Sequence, residues 1–170
     1  MKRIFLLFVL ASLMCISVVA QQQSRRMSRG TAVQPELREV YSKWLNEDVA
    51  YIITPLEKQA FMRLTSDEQR ERFIEEFWRR RDPNPASNQN QFRAEYYGRI
   101  AHANQNFAFG NMAGWRTDRG RIYITYGMPD EVQKSSSGEV WIYNNRPNPG
   151  RSVKFDFVDN SGTGEFRLRQ

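Results

Sequence analysis

Gly114-Trp115-Arg116-Thr117-Asp118-Arg119-Gly120-Arg121-Ile122-Tyr123-Ile124-Thr125-Tyr126-Gly127-Met128-Pro129-Asp130-Glu131 is the stretch on which the reading of the fold turns. Before it, apolar residues recur every three or four positions; from Arg119 onward they alternate, with Ile122, Ile124 and Tyr126 set against Arg121, Tyr123 and Thr125. A change of period from helical to two predicts a strand over Arg119 to Tyr126, broken by Gly127-Met128-Pro129-Asp130. Gly114 suits a positive φ or a close backbone approach. Trp115 supplies a large apolar plate with one N–H. Thr117 and Asp118 can accept bonds from nearby backbone N–H groups and fix a turn. Arg119 adds a cation, while Tyr126, Gly127, Pro129 and Asp130 shape the far end.

Upstream, the pattern is helical. Leu37, Val40, Tyr41, Trp44, Leu45 and Val49 predict a helix over Glu36 to Ile53. Thr54-Pro55-Leu56-Glu57 reads as a capping box with proline at the first helical position, and Thr65-Ser66-Asp67-Glu68 as a second box. The helix after it stacks Phe73 over Phe77 and Ile74 over Trp78, and Asp82-Pro83-Asn84-Pro85 ends it behind Arg79, Arg80 and Arg81. A further helix opens near Asn90, its stripe being Phe92, Tyr96, Ile100, Ala103 and Phe107, and Phe109 to Gly114 reads as a loop.

Downstream, Val140 to Tyr143, Val153 to Val158 and Glu165 to Leu168 predict three more short strands, punctuated by Asn148-Pro149-Gly150 and Asn160-Ser161-Gly162. Helices in one block and strands in another predict an α+β domain: N-terminal helices packed on a small antiparallel meander of about four strands.

The first 34 residues have a different character. Lys2-Arg3, the apolar run from Ile4 to Val19 and Ala20 before Gln21-Gln22-Gln23 read as a secretory signal peptide over residues 1–20. Cleavage after Ala20 would remove Cys15, the chain's one cysteine, leaving neither disulfide nor thiolate ligand. Residues 21–34, with Arg25, Arg26 and Arg29 and no acid, read as a flexible basic linker ahead of a domain over 35–170. Setting aside those three arginines with Lys2 and Arg3 leaves 20 basic against 19 acidic residues from Pro35 onward. So balanced a body offers no concentrated basic face for nucleic acid.

The stretch from Gly114 to Asp118 resembles the pattern that names the GWxTD domain family of bacterial proteins. Arg119-Gly120-Arg121-Ile122-Tyr123-Ile124 and Tyr126-Gly127-Met128-Pro129-Asp130-Glu131 look like the family's continuation. Trp44-Leu45-Asn46-Glu47-Asp48-Val49 and Phe77-Trp78-Arg79-Arg80-Arg81-Asp82-Pro83 fit its helical lead-in. The resemblance implies an exported bacterial domain and brings no catalytic assignment, cofactor or metal with it.

The residues themselves point the same way. His102 is the chain's one imidazole, which excludes a multi-histidine metal site, and no Gly-x-Ser-x-Gly elbow accompanies Ser135, Ser136 or Ser137. No phosphate loop is present, because no helix follows Gly162 and Gly164. The leading expectation is an exported, non-enzymatic domain, not integral to the membrane after cleavage, that binds a protein, a peptide or another cell-envelope component. Two others stand beside it: a hydrolase of an envelope polymer working through carboxylates such as Asp118 and Glu131, and a purely structural module. The motif residues Gly114, Trp115, Thr117, Asp118, Arg119, Tyr126, Gly127, Pro129 and Asp130 are either a binding loop or a structural junction. In the structural version Trp115 fills the seam between helices and sheet while Asp118 and Thr117 fix the turn, with Arg79, Arg80 or Arg119 as a candidate partner.

Overall fold

A computed structural model describes residues 35–145 and 150–169. The stretches expected to be a signal peptide and a basic linker, and all but the last residue of the expected Asn148-Pro149-Gly150 turn, lie outside the described residues. The chain divides into two units, Met1–Ser42 and Lys43–Gln170. In the first, the described structure is the helix α1, Pro35–Lys43, which ends at the boundary. All the other described elements belong to the second.

That second unit opens with a π-helical turn, Trp44–Asp48, so the helix predicted to Ile53 unwinds early, and Val49 N–H bonds back to Trp44 O. Helix α2, Pro55–Met62, starts at the capping box of Thr54 and Glu57. Helix α3, Asp67–Arg79, is capped by Ser66 with Gln69 as its partner, one residue later than the spacing of Thr65 and Glu68 suggests. Helix α4, Gln91–Phe107, is capped by Asn90, whose amide also donates to Trp78 O at 2.7 Å. These elements bury an aromatic cluster. The Trp44 ring lies 5.0 Å from Phe61 and 5.2 Å from Phe77, and Trp78 lies 5.7 Å from Tyr96 of α4.

The stretch that reads as a strand is a helix. Gly114–Arg116 forms a 3-10 turn and Asp118–Tyr126 forms α5, capped by Thr117. The physical reason is its position, wedged between α4 and the sheet. Ile122 joins the core against the sheet, Tyr123 stacks on His102 of α4 at 4.4 Å, and Ile124 is also buried. A nine-residue helix covered on several sides loses its one-sided apolar stripe, and over so short a run its pattern passes for alternation.

Four strands remain, because one unforeseen takes the place of the lost one. They are β1 (Glu131–Lys134), β2 (Gly138–Asn144), β3 (Ser152–Val158) and β4 (Arg167–Leu168). The order is β1-β2-β3-β4, every pair antiparallel: a meander with helices largely before it, an α+β fold. Its covered face carries Trp141 and Tyr143 of β2, Phe155 and Phe157 of β3 and Leu168 of β4, packed with Ile122 of α5 and Phe107 of α4. Among the described residues no helix is long and apolar enough to cross a membrane.

Candidate functional site

The Gly114–Asp118 motif is where α4, α5 and β4 meet. Gly114 is buried, and a Cβ built on it would fall 1.9 Å from the carbonyl oxygen of Ala103 in α4, so a side chain has no room. Gly120 is held as tightly, 1.8 Å from Gly114 O by the same construction. Thr117 closes the turn: its hydroxyl donates to Gly114 O at 2.7 Å and accepts the Gly120 N–H at 3.1 Å. That second bond satisfies one of the donors a helix start leaves unpaired.

Asp118 does not pair with Arg79, Arg80 or Arg119. Its Oδ2 accepts the Leu168 N–H of β4 at 2.9 Å, fifty residues away along the chain, and its Oδ1 lies 3.5 Å from Arg121. Arg79 binds Glu76, and Arg80 reaches Glu57. Arg119 pairs with Glu139 of β2 at 3.3 Å, and its guanidinium sits over the Phe166 ring at 4.0 Å from the centroid. The space enclosed among Phe107, Asp118, Arg119 and Phe166 is about 10 Å³, room for about one water.

Trp115 faces elsewhere. Its N–H donates to Asn104 Oδ1 at 3.0 Å and its carbonyl accepts the Tyr51 hydroxyl at 2.8 Å, so its backbone is held from both sides. The half-buried indole does not fill the helix–sheet seam as expected. Its ring neighbour is Tyr51, 6.1 Å away, while Phe107, Tyr123 and Trp141 occupy the seam. With Lys43, Glu47, Asp48, Ile100 and Asn104, Trp115 lines a surface recess of about 110 Å³. The Arg116 guanidinium lies 5.3 Å from its ring centre, and Arg116, Asn111 and Met112 line an adjoining open groove.

Electrostatics around the recess favour neutral phenols. Burial raises the Tyr51 hydroxyl above its ordinary pKa despite the opposing charges of Arg121 and Arg116, and the proton it donates to Trp115 is retained. Tyr97, which donates to Asp48 Oδ2 at 3.4 Å, is pushed up to about 12 by burial and then by the Asp48 charge.

The far end of the motif is a separate site. Gly127 ends α5 with φ +82 and ψ −159, a conformation that side chains resist, and its carbonyl accepts the Tyr143 hydroxyl at 3.0 Å. Tyr126 packs on Phe155 at 5.0 Å, and Asp130 Oδ2 accepts the Asn144 N–H at 2.6 Å, with Pro129 half-buried between them in sequence. The structure therefore brings Gly114, Thr117, Asp118 and Arg119 together at one end of α5. Tyr126, Gly127, Pro129 and Asp130 gather at the other, about 13 Å away for a helix of this length. Asp118 and Glu131 are no closer to a catalytic pair: Asp118 is tied to β4, Glu131 belongs to β1, and these strands are opposite edges of the sheet. His102 is exposed, with its ring on Tyr123.

Sequence reasoning missed Tyr51 and Asn104, the two residues that hold Trp115 in place. They stand 64 and 11 positions from it, and no local pattern links them.

The model of the GWxTD domain matches residues 15–169, nearly the whole chain, and the protein belongs to that family. No curated protein and no solved structure matches it.

Proposed function

We propose that this domain is exported and acts without catalysis, binding a protein or peptide segment through the face around Trp115. Export rests on the basic start, the apolar run and the small-residue boundary at Ala20. Binding rests on one observation: the Trp115 backbone is bonded on both sides while its half-exposed indole borders a recess of about 110 Å³. A backbone fixed before binding leaves less freedom to be lost on contact, and Trp and Arg are among the side chains that carry much of the energy at interfaces. Arg116 beside the indole and Glu47 and Asp48 across the recess supply a polar rim of both signs.

A photo-crosslinking residue at Asn111, in the groove next to Arg116, tests this in cells that make the protein. The expected result is a discrete crosslinked protein, lost when Trp115→Ala is added and not obtained with the crosslinker at exposed Lys154 on β3. Equal crosslinking at both positions, or a product indifferent to Trp115→Ala, would overturn the reading. Intact-mass measurement of the exported chain checks the other half, with a start near Gln21 expected and retention of residues 1–20 contradicting it.

A further inference from the structure

The recess beside Trp115 is lined by Lys43, Glu47, Asp48, Ile100, Asn104 and Trp115 itself. Two carboxylates against one ammonium leave that lining with a net charge of −1. The Arg116 guanidinium, 5.3 Å from the indole centre, lines the adjoining groove with Asn111 and Met112 rather than the recess. Asp48 is taken up by its own chain. Its Oδ1 accepts from the Lys43 ammonium and its Oδ2 from the Tyr97 hydroxyl at 3.4 Å, and 18% of its side chain stays exposed. Glu47 is exposed, and its carboxylate pairs with no cation among the described residues.

We infer that this recess is the pocket for one basic side chain, lysine or arginine, of the segment that binds the Trp115 face. The inference rests on that face being a binding face and adds the chemistry of its partner. Lysine and arginine carry a cation on a methylene stem, so a pocket for either needs apolar walls along the stem and a carboxylate at its end. Ile100 and Trp115 are the apolar walls, and Glu47 is the carboxylate. The indole adds an attraction of its own, because the face of its ring is electron-rich toward a cation. An acidic side chain entering the recess would instead face Glu47, with the one cation of the lining already committed to Asp48.

Lys43 sharpens the case, because the chain already places one ammonium in this lining. It reaches Asp48 from five residues back with 59% of its own side chain exposed. An ion pair so open to water holds its partner weakly and yields to competition. An incoming cation therefore gains Glu47 at once, and gains Asp48 as well whenever Lys43 turns out to solvent. Lys43 tempers the pocket, and its removal would leave both carboxylates to the partner.

The test uses the purified, isotope-labelled full chain and capped peptides, acetyl-Gly-Ser-X-Ser-Gly-amide, in which X is arginine, lysine, citrulline or glutamate. The readout is the indole N–H signal of Trp115 in NMR spectra, identified by its loss in Trp115→Phe. The arginine and lysine peptides should shift it with a Kd on the order of millimolar, as befits one side chain and an exposed ion pair. Citrulline keeps the shape of arginine without its charge, so it should bind about fivefold more weakly or worse, and glutamate weaker still. Glu47→Gln should weaken the arginine peptide about two- to fivefold, and Glu47→Lys should abolish its effect. Lys43→Ala should act in the opposite direction, tightening the arginine peptide about twofold or more. The buried indoles of Trp44 and Trp78 report in the same spectra that each variant is folded. No shift with any peptide, equal binding of arginine and citrulline, a preference for glutamate, or an arginine affinity unmoved by Glu47→Gln overturns the proposal. The crosslink from Asn111 separates this result from the binding reading beneath it. A crosslinked protein together with no charge preference in the recess keeps the binding face and removes its basic partner. Basic peptides that bind while no protein is crosslinked in cells keep the pocket and remove the cellular partner.

Discussion

An alanine at Gly114 would drive its Cβ to within 1.9 Å of Ala103 O, where both neighbours are backbone and neither can swing aside. We expect Gly114→Ala to cost about 3 kcal/mol or more in urea unfolding, at the upper end of overpacking changes. Asp118 is held less rigidly. Asp118→Ala strands the Leu168 N–H and frees Arg121, so a loss of about 1–3 kcal/mol is expected, with hydrogen-exchange protection at Leu168 lost before that of β2. An unchanged exchange rate at Leu168 would show that β4 is held by something else. The two residues also divide what the sequence made legible at this scale. Turn chemistry is local, so Gly114 and Thr117 could be read as a turn from their neighbours alone. The partner of Asp118 lies fifty positions away and follows from packing that no spacing encodes.

Among the elements, those announced by their own ends were readable and those defined by their surroundings were not. Thr54 with Glu57, Ser66 with Gln69, and Asn90 each satisfy unpaired N–H groups at a helix start, so α2, α3 and α4 begin within a residue or so of where their caps predict. Helix α5 is read as a strand because burial by α4 on one side and the sheet on another erased its stripe. β1 escaped notice because Glu131-Val132-Gln133-Lys134 holds a single apolar residue. The α2 cap does more than start a helix. Glu57 accepts Arg81 at 2.8 Å, and Arg81 also donates to Ile52 O at 3.2 Å and lies 3.6 Å over the Phe77 ring, tying α3 to α2 and the turn before it. Burial would raise the Glu57 carboxyl, but the bonds from Arg81 and Thr54 outweigh it and hold the pKa at about 2. Because the folded value is depressed, the contribution is complete above the ordinary value of 4.5 and is lost as pH falls toward 2. Glu57→Gln should therefore destabilise by about 1–2 kcal/mol at pH 7, with the gap to the parent closing as pH drops from 4.5 to 2.5. A gap that stays constant across that window would mean the carboxylate charge is not what Arg81 binds.

At the scale of the unit from Lys43 to Gln170, one helix serves two cores. The N-terminal half of α4 sends Phe92, Tyr96 and Tyr97 to within 6.4, 5.7 and 5.4 Å of the Trp78 ring. Its C-terminal end sends Phe107 to Trp141 at 5.4 Å and sets Ala103 against Gly114. The motif is mounted on the second half of that helix, while Tyr51, which holds the Trp115 carbonyl, precedes α2. A fragment covering residues 90–170 keeps the sheet and its cluster but uncovers the first half of α4. Each aromatic ring buries about 150–250 Å², and at about 25 cal/mol per Å² the full exposure of Phe92 and Tyr96 forfeits on the order of 7–12 kcal/mol. That is as large as the whole stability of an ordinary domain. The fragment should accordingly lack a cooperative thermal transition, bind a hydrophobic dye such as ANS and self-associate, whereas the full chain melts in one sharp step. Helix α4 would be the first element to fray, because its Asn90 cap is worth about 1 kcal/mol against the lost packing. A 90–170 fragment that melts cooperatively as a monomer would show that the sheet cluster alone carries the fold, and that the aromatic helices before it serve the Trp115 recess rather than stability.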